Sequence, residues 1–119
     1  MKKLLLLIAL LNAQGVYAAY ISGNQLLEMC SADLQDTANA NRYMEAGGCR
    51  GYITGTVDIY ETFDEWNALK YRYWCVPDAV DLGQLRAVVL EYLKENPETL
   101  HQSASALIVL AYTKAFPCQ

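Results

Sequence analysis

Residues 49–66 read CRGYITGTVDIYETFDEW, and the fold class turns on whether this stretch is a helix or a strand. Ile53, Thr54, Thr56, Val57 and Ile59 are β-branched and favour a strand, but strict apolar alternation is missing. Cys49, Tyr52, Ile53, Thr56, Tyr60 and Phe63 instead recur at steps of three or four, the spacing of one helix face. The stretch is therefore read as a helix from about Cys49 to Trp66. Gly51 and Gly55 would each weaken an isolated helix by about 1 kcal/mol relative to Ala. The expected compensation is a second helix backbone lying close over a patch without side chains.

Working outward, three more helices follow from punctuation and spacing. Upstream, Ser22 with Gln25 three residues on has the form of a capping box. Leu26, Leu27, Cys30 and Leu34 then carry a helix from about Asn24 to Asn39, with Gly47 and Gly48 stopping any continuation. Downstream, Asn67–Val80 is an irregular link, too aromatic with Tyr71, Tyr73, Trp74 and Trp66 beside it to be a free linker. The aromatic group reads as cover for the core, with an anchor for a binding partner as the alternative. Asp81, answered by Gln84, caps a third helix whose stripe is Leu82, Leu85, Val88, Val89, Tyr92 and Leu93. Asn96-Pro97-Glu98 closes it and opens a fourth. The unbroken apolar run Ala106–Tyr112 makes that last helix the central one, buried on nearly all sides, until Pro117 ends it. The expected fold is all-α, a small antiparallel bundle of four main helices.

The N-terminus sets the compartment. Lys2 and Lys3 precede the apolar run Leu4–Leu11, and Val16 and Ala18 put small residues before a cleavage site, which is the grammar of a secretory signal. Spanning a bilayer takes about 20 apolar residues, and Asn12, Gln14 and Gly15 interrupt the run well short of that. Residues 1–18 are read as a signal peptide cleaved after Ala18, leaving 19–119 as a single soluble domain with no membrane attachment. That mature chain carries 7 basic and 13 acidic residues, a net charge of −6 with His101 neutral. Nucleic acid is excluded as a partner for want of a basic face, and a basic protein suits better.

Cys30, Cys49, Cys75 and Cys118 are an even set in a small exported chain, which reads as two disulfides. Their gaps of 19, 26 and 43 residues and the single histidine do not fit a metal site. In an up-down bundle the link holding Cys75 and the tail holding Cys118 fall at the same end, so these two pair. Cys30 and Cys49 follow by elimination, which requires the first helix to stop early. Each bridge contributes roughly 3 to 4 kcal/mol in the chain-entropy picture.

No catalytic constellation is found, and no cofactor is expected. His101 reads as an ordinary helix residue, and a Cys–His dyad would need a free thiol. Asp58, Glu61 and Glu65 share one helix face, with Asp64 beside them. Acid–base chemistry requires carboxylates opposed across a cleft. A row on one helix is a solvated face or a docking face.

Cys49-Arg50-Gly51-Tyr52-Ile53-Thr54-Gly55 with Asp58, then Cys75-Val76-Pro77, Gln84 through Tyr92-Leu93, Asn96-Pro97-Glu98, and Ala115-Phe116-Pro117-Cys118 together resemble the Rap/Tai family of immunity proteins. The likeness spans Leu26 to Cys118. It implies a periplasmic, mainly helical, non-enzymatic protein of the Gram-negative envelope. Such a protein acts as a homodimer and occludes the active-site cleft of a peptidoglycan amidase effector delivered by type VI secretion. The shared motifs are then determinants of fold and disulfides. The contact surface is expected on the acidic helix face, Asp58, Glu61 and Glu65, and on the turn Asn96, Glu98 and Thr99. A periplasmic acid-stress chaperone, or an envelope structural or assembly subunit, would share the same build. Aggregation suppression at low pH would single out the chaperone.

Overall fold

The computed structural model describes residues 20–119, so the expected signal peptide lies outside the described residues. Four helices make up the described chain: α1 (Gly23–Cys30), α2 (Ala40–Glu65), α3 (Leu82–Glu95) and α4 (Ala104–Ala115), with a 3-10 turn at Pro97–Thr99. The all-α expectation holds, and residues 49–66 are helical up to Glu65 with Trp66 as the C-cap.

Both capping boxes form. Ser22 Oγ accepts from the Gln25 amide at 3.3 Å while Gln25 Oε1 accepts from the Ser22 amide at 2.9 Å. At α3 the same exchange joins Asp81 and Gln84 at 2.8 and 3.0 Å. Each satisfies two amides that the first helical turn would leave unpaired.

The first helix stops at Cys30 rather than continuing to Asn39. Arg86 on α3 donates to Cys30 O at 2.6 Å and to Ala32 O at 2.9 Å, and Ser31 Oγ donates to Leu27 O at 2.6 Å. The last carbonyls of α1 thus meet side chains where a continuing helix would supply amides. The second helix starts at Ala40, nine residues before the expected Cys49, because Asn39 Oδ1 caps it by accepting from the Asn41 and Arg42 amides. It runs straight through Gly47 and Gly48. Packing of Ala46 and Cys49 in the core outweighs the weak helix propensity of the glycines.

The glycine argument needs a second correction. A Cβ built on Gly51 or Gly55 meets nothing within 4 Å, so no second helix lies over them. Close approach occurs at Gly23 instead, where an added Cβ would sit 2.9 Å from Leu100 O and collide with Leu107. The start of α1 is stitched there to the segment before α4: Gly23 and Asn24 amides donate to Gln102 O and Leu100 O at 2.9 Å, and the Ala104 amide donates to Ile21 O at 2.8 Å. Those bonds hold residues 100–103 outside a regular helix. Pro97 consequently opens only the 3-10 turn, and Asn96 donates its Nδ2 back to Tyr92 O at 2.8 Å, closing α3 rather than capping α4.

Leu26, Cys30, Cys49, Ile53, Trp74, Val89, Leu93, Leu107, Ile108 and Tyr112 form the core. Helix α4 buries Ala104, Leu107, Ile108, Ala111 and Tyr112, but Ala106 and Leu110 face outward, so it has one wetted stripe after all. Both expected disulfides are present, Cys30–Cys49 with a Cα–Cα distance of 5.0 Å and Cys75–Cys118 at 4.9 Å. Among the described residues no helix is long and apolar enough to cross a membrane.

Candidate functional site

The aromatic link between α2 and α3 divides into an inner and an outer set. Trp74 is fully buried, stacked on Tyr60 at 3.6 Å between ring centroids and edge-on to Tyr112 at 5.6 Å. Tyr60 Oη accepts from the Tyr73 amide at 2.6 Å, and Phe116 O accepts from the Cys75 amide at 2.8 Å. Burial pushes the Tyr112 hydroxyl well above the ordinary tyrosine range, so it stays protonated and donates to Leu85 O at 3.2 Å. Trp66, Tyr71 and Tyr73, by contrast, are exposed. The core-cover reading therefore holds for Trp74 alone.

Helix α2 ends in a Schellman arrangement. Asn67 adopts a positive φ of 52°, the Ala68 amide donates to Phe63 O at 2.8 Å, and the Asn67 amide donates to Asp64 O at 2.9 Å. Arg72 then reaches back to α2, pairing with Glu61 at 3.1 Å and Asp64 at 3.3 Å. This latch was not foreseen from the sequence, since eleven residues and a turn separate Arg72 from Glu61. It removes Glu61 from the free acidic row. Asp58 and Glu65 remain exposed with no ion-pair partner among the described residues.

The other expected contact group sits elsewhere. Asn96 and Thr99 are half-buried and occupied by local bonds, Asn96 Nδ2 to Tyr92 O and Thr99 Oγ1 to Asn96 O at 2.9 Å, while Glu98 is exposed. No hydrogen bond or ion pair among the described residues joins this turn to the acidic row on α2. His101 is exposed, and all four cysteines are bonded to one another. No group of three metal-ligating side chains occurs among the described residues.

What the fold presents is surface: a sealed core, two staples, and charged and aromatic residues displayed on rigid helices. That places the molecule among small, disulfide-stapled helical bundles whose exposed faces carry their distinctive groups. A model of the Rap1a immunity proteins matches residues 22–118, and the chain belongs to that family. Membership makes it an immunity protein directed against a secreted effector, with an effector protein as its partner. No curated protein is similar enough to the chain to match it.

Proposed function

We propose that the chain is exported, loses residues 1–18, and works in the periplasm as a single helical domain that binds a peptidoglycan amidase delivered by type VI secretion and occludes its active-site cleft. The observation that carries this reading is the family match across nearly the whole of the described chain. Two disulfides suit an oxidising compartment. Protection by contact demands no chemistry of the inhibitor. It demands rigid exposed groups, which lower the entropic cost of association.

The proposed contact residues are Asp58, Glu61 and Glu65 on α2 with Asn96, Glu98 and Thr99 at the α3–α4 turn. Of these, Asp58, Glu65 and Glu98 are exposed and unpaired among the described residues, so they supply the acidic potential that a basic effector surface would meet. The test uses a purified peptidoglycan amidase effector of a type VI secretion system. Mixed with the oxidised chain, it should lose peptidoglycan hydrolysis at equimolar ratio, and an unchanged rate at excess overturns the reading. Glu65→Lys with Glu98→Lys should slow association about tenfold and reduce its salt dependence while leaving the circular dichroism unchanged.

A further inference from the structure

The two disulfides sit in different surroundings. Cys30 and Cys49 are both 0% exposed, within the core cluster that holds Leu26, Ile53 and Val89. Cys118 is exposed and Cys75 half-buried. Beside this second bridge the surface is hollowed, with Cys75, Pro77, Ala115, Phe116, Pro117 and Gln119 lining an open recess. None of those six side chains carries a charge, so no carboxylate in the recess opposes an approaching thiolate.

The backbone on either side of the Cys75–Cys118 bridge is held unequally. Pro117, Cys118 and Gln119 follow α4 outside any helix, and no backbone hydrogen bond joins them to the rest of the described chain. On the other side, the Cys75 amide donates to Phe116 O at 2.8 Å, and the neighbouring Trp74 is buried against Tyr60 and Tyr112. The bridge alone fixes 117–119, whereas the core holds Trp74 without it.

Exchange requires a thiolate to reach one of the two sulfurs, so access governs the rate, and exposed bridges are the labile kind. Reaching Cys30–Cys49 requires the core to open, which draws on the stability of the whole domain. Reaching Cys118 requires no opening. We propose that Cys75–Cys118 is a thiol–disulfide exchange site for an external dithiol, with Cys118 Sγ as the atom attacked, while Cys30–Cys49 is a permanent staple. One thiolate of the dithiol bonds to Cys118 Sγ as the Cys75–Cys118 bond breaks, and Cys75 Sγ leaves with the electron pair and takes up a proton. The second sulfur of the dithiol, deprotonated, then bonds to the first and releases Cys118 as a thiolate, which is protonated in turn. The dithiol ends as a disulfide, oxidised by two electrons, and Cys75 and Cys118 end as two thiols.

Reduction leaves the α2–α3 link attached to the end of α4 by packing and one backbone hydrogen bond. That link carries the exposed Tyr71 and Tyr73 and the Arg72 latch to α2, so the redox state loosens a displayed segment without opening the core. The acidic row and the α3–α4 turn take no part, and the inference does not depend on the effector reading.

Dithiothreitol, applied to the oxidised protein at neutral pH without denaturant, tests it. Samples are quenched at intervals with an alkylating reagent, and the labelled cysteines are identified by mass spectrometry. Cys75 and Cys118 should be labelled together at least about a hundredfold faster than Cys30 and Cys49, with the helical circular dichroism retained at that stage. Glutathione, quenched early, should leave its mixed disulfide on Cys118 with Cys75 as the free thiol. Equal rates for all four cysteines, earlier labelling of Cys30 and Cys49, or glutathione found on Cys75 would each overturn the proposal. So would loss of the circular dichroism in step with the labelling of Cys75 and Cys118, since the bridge would then be reduced only by unfolding.

Discussion

The two faces of α2 draw on the same kinds of residue and meet opposite fates. On the inner face Ala46, Cys49, Ile53 and Tyr60 are buried, closed by the bridge to Cys30 and by Trp74 stacked on Tyr60. On the outer face Met44, Ile59 and Trp66 stand in the open beside glycines that touch nothing. The two tryptophans make the contrast sharpest, eight residues apart, one at 0% and the other at 70% exposure. What separates them is not hydrophobicity but the presence of neighbours. Dispersion and burial act only where partner atoms lie within contact distance.

That contrast can be broken by substitution. The largest effect belongs to Trp74→Ala, which removes the ring that touches both Tyr60 and Tyr112 and should cost about 3 to 5 kcal/mol in urea unfolding of the oxidised protein. A loss under about 1 kcal/mol would show that the inner face does not depend on its aromatic seal. Next, Tyr112→Phe removes a buried hydroxyl that donates to Leu85 O, at a cost of about 1 kcal/mol at neutral pH. The sign at high pH follows from the raised value of the folded hydroxyl. Its stabilising contribution is complete below the ordinary tyrosine value near 10 and is lost as pH climbs above it. Tyr112→Phe should therefore flatten the alkaline fall in stability, measured as the difference in urea midpoint between pH 8 and pH 11.

On the outer face the expected sign reverses. Gly51→Ala should stabilise the fold by up to about 1 kcal/mol, because the added methyl meets no atom and the helix gains propensity. Destabilisation there would mean that the glycine is held by a contact the single chain does not show. Smallest of all, Trp66→Ala should move stability by no more than about 0.5 kcal/mol, against several for Trp74.

The features legible in the sequence were those decided within a few residues. Ser22 with Gln25 and Asp81 with Gln84 close their hydrogen bonds three positions apart, and nothing distant competes with them. The apolar spacing over 49–66 outvoted the β-branched residues correctly, for the same reason. The failures share the opposite cause. Helix α1 ends where Arg86, 56 residues from Cys30, takes its carbonyls. The segment 100–103 is held out of α4 by residues 21–24. Glu61 looked free until Arg72 folded back onto it. Even the aromatic link was read as one group, since nothing local distinguishes Trp66 from Trp74.

By itself the sequence determined the helical class, the two caps, the cysteine pairing and the family likeness, because periodicity, capping and an even cysteine set act locally or through simple connectivity. Only the tertiary structure decided where the helices stop and which carboxylates remain free. It also decided which face of α2 is covered, because each of these depends on a partner atom brought close by the fold from far along the chain.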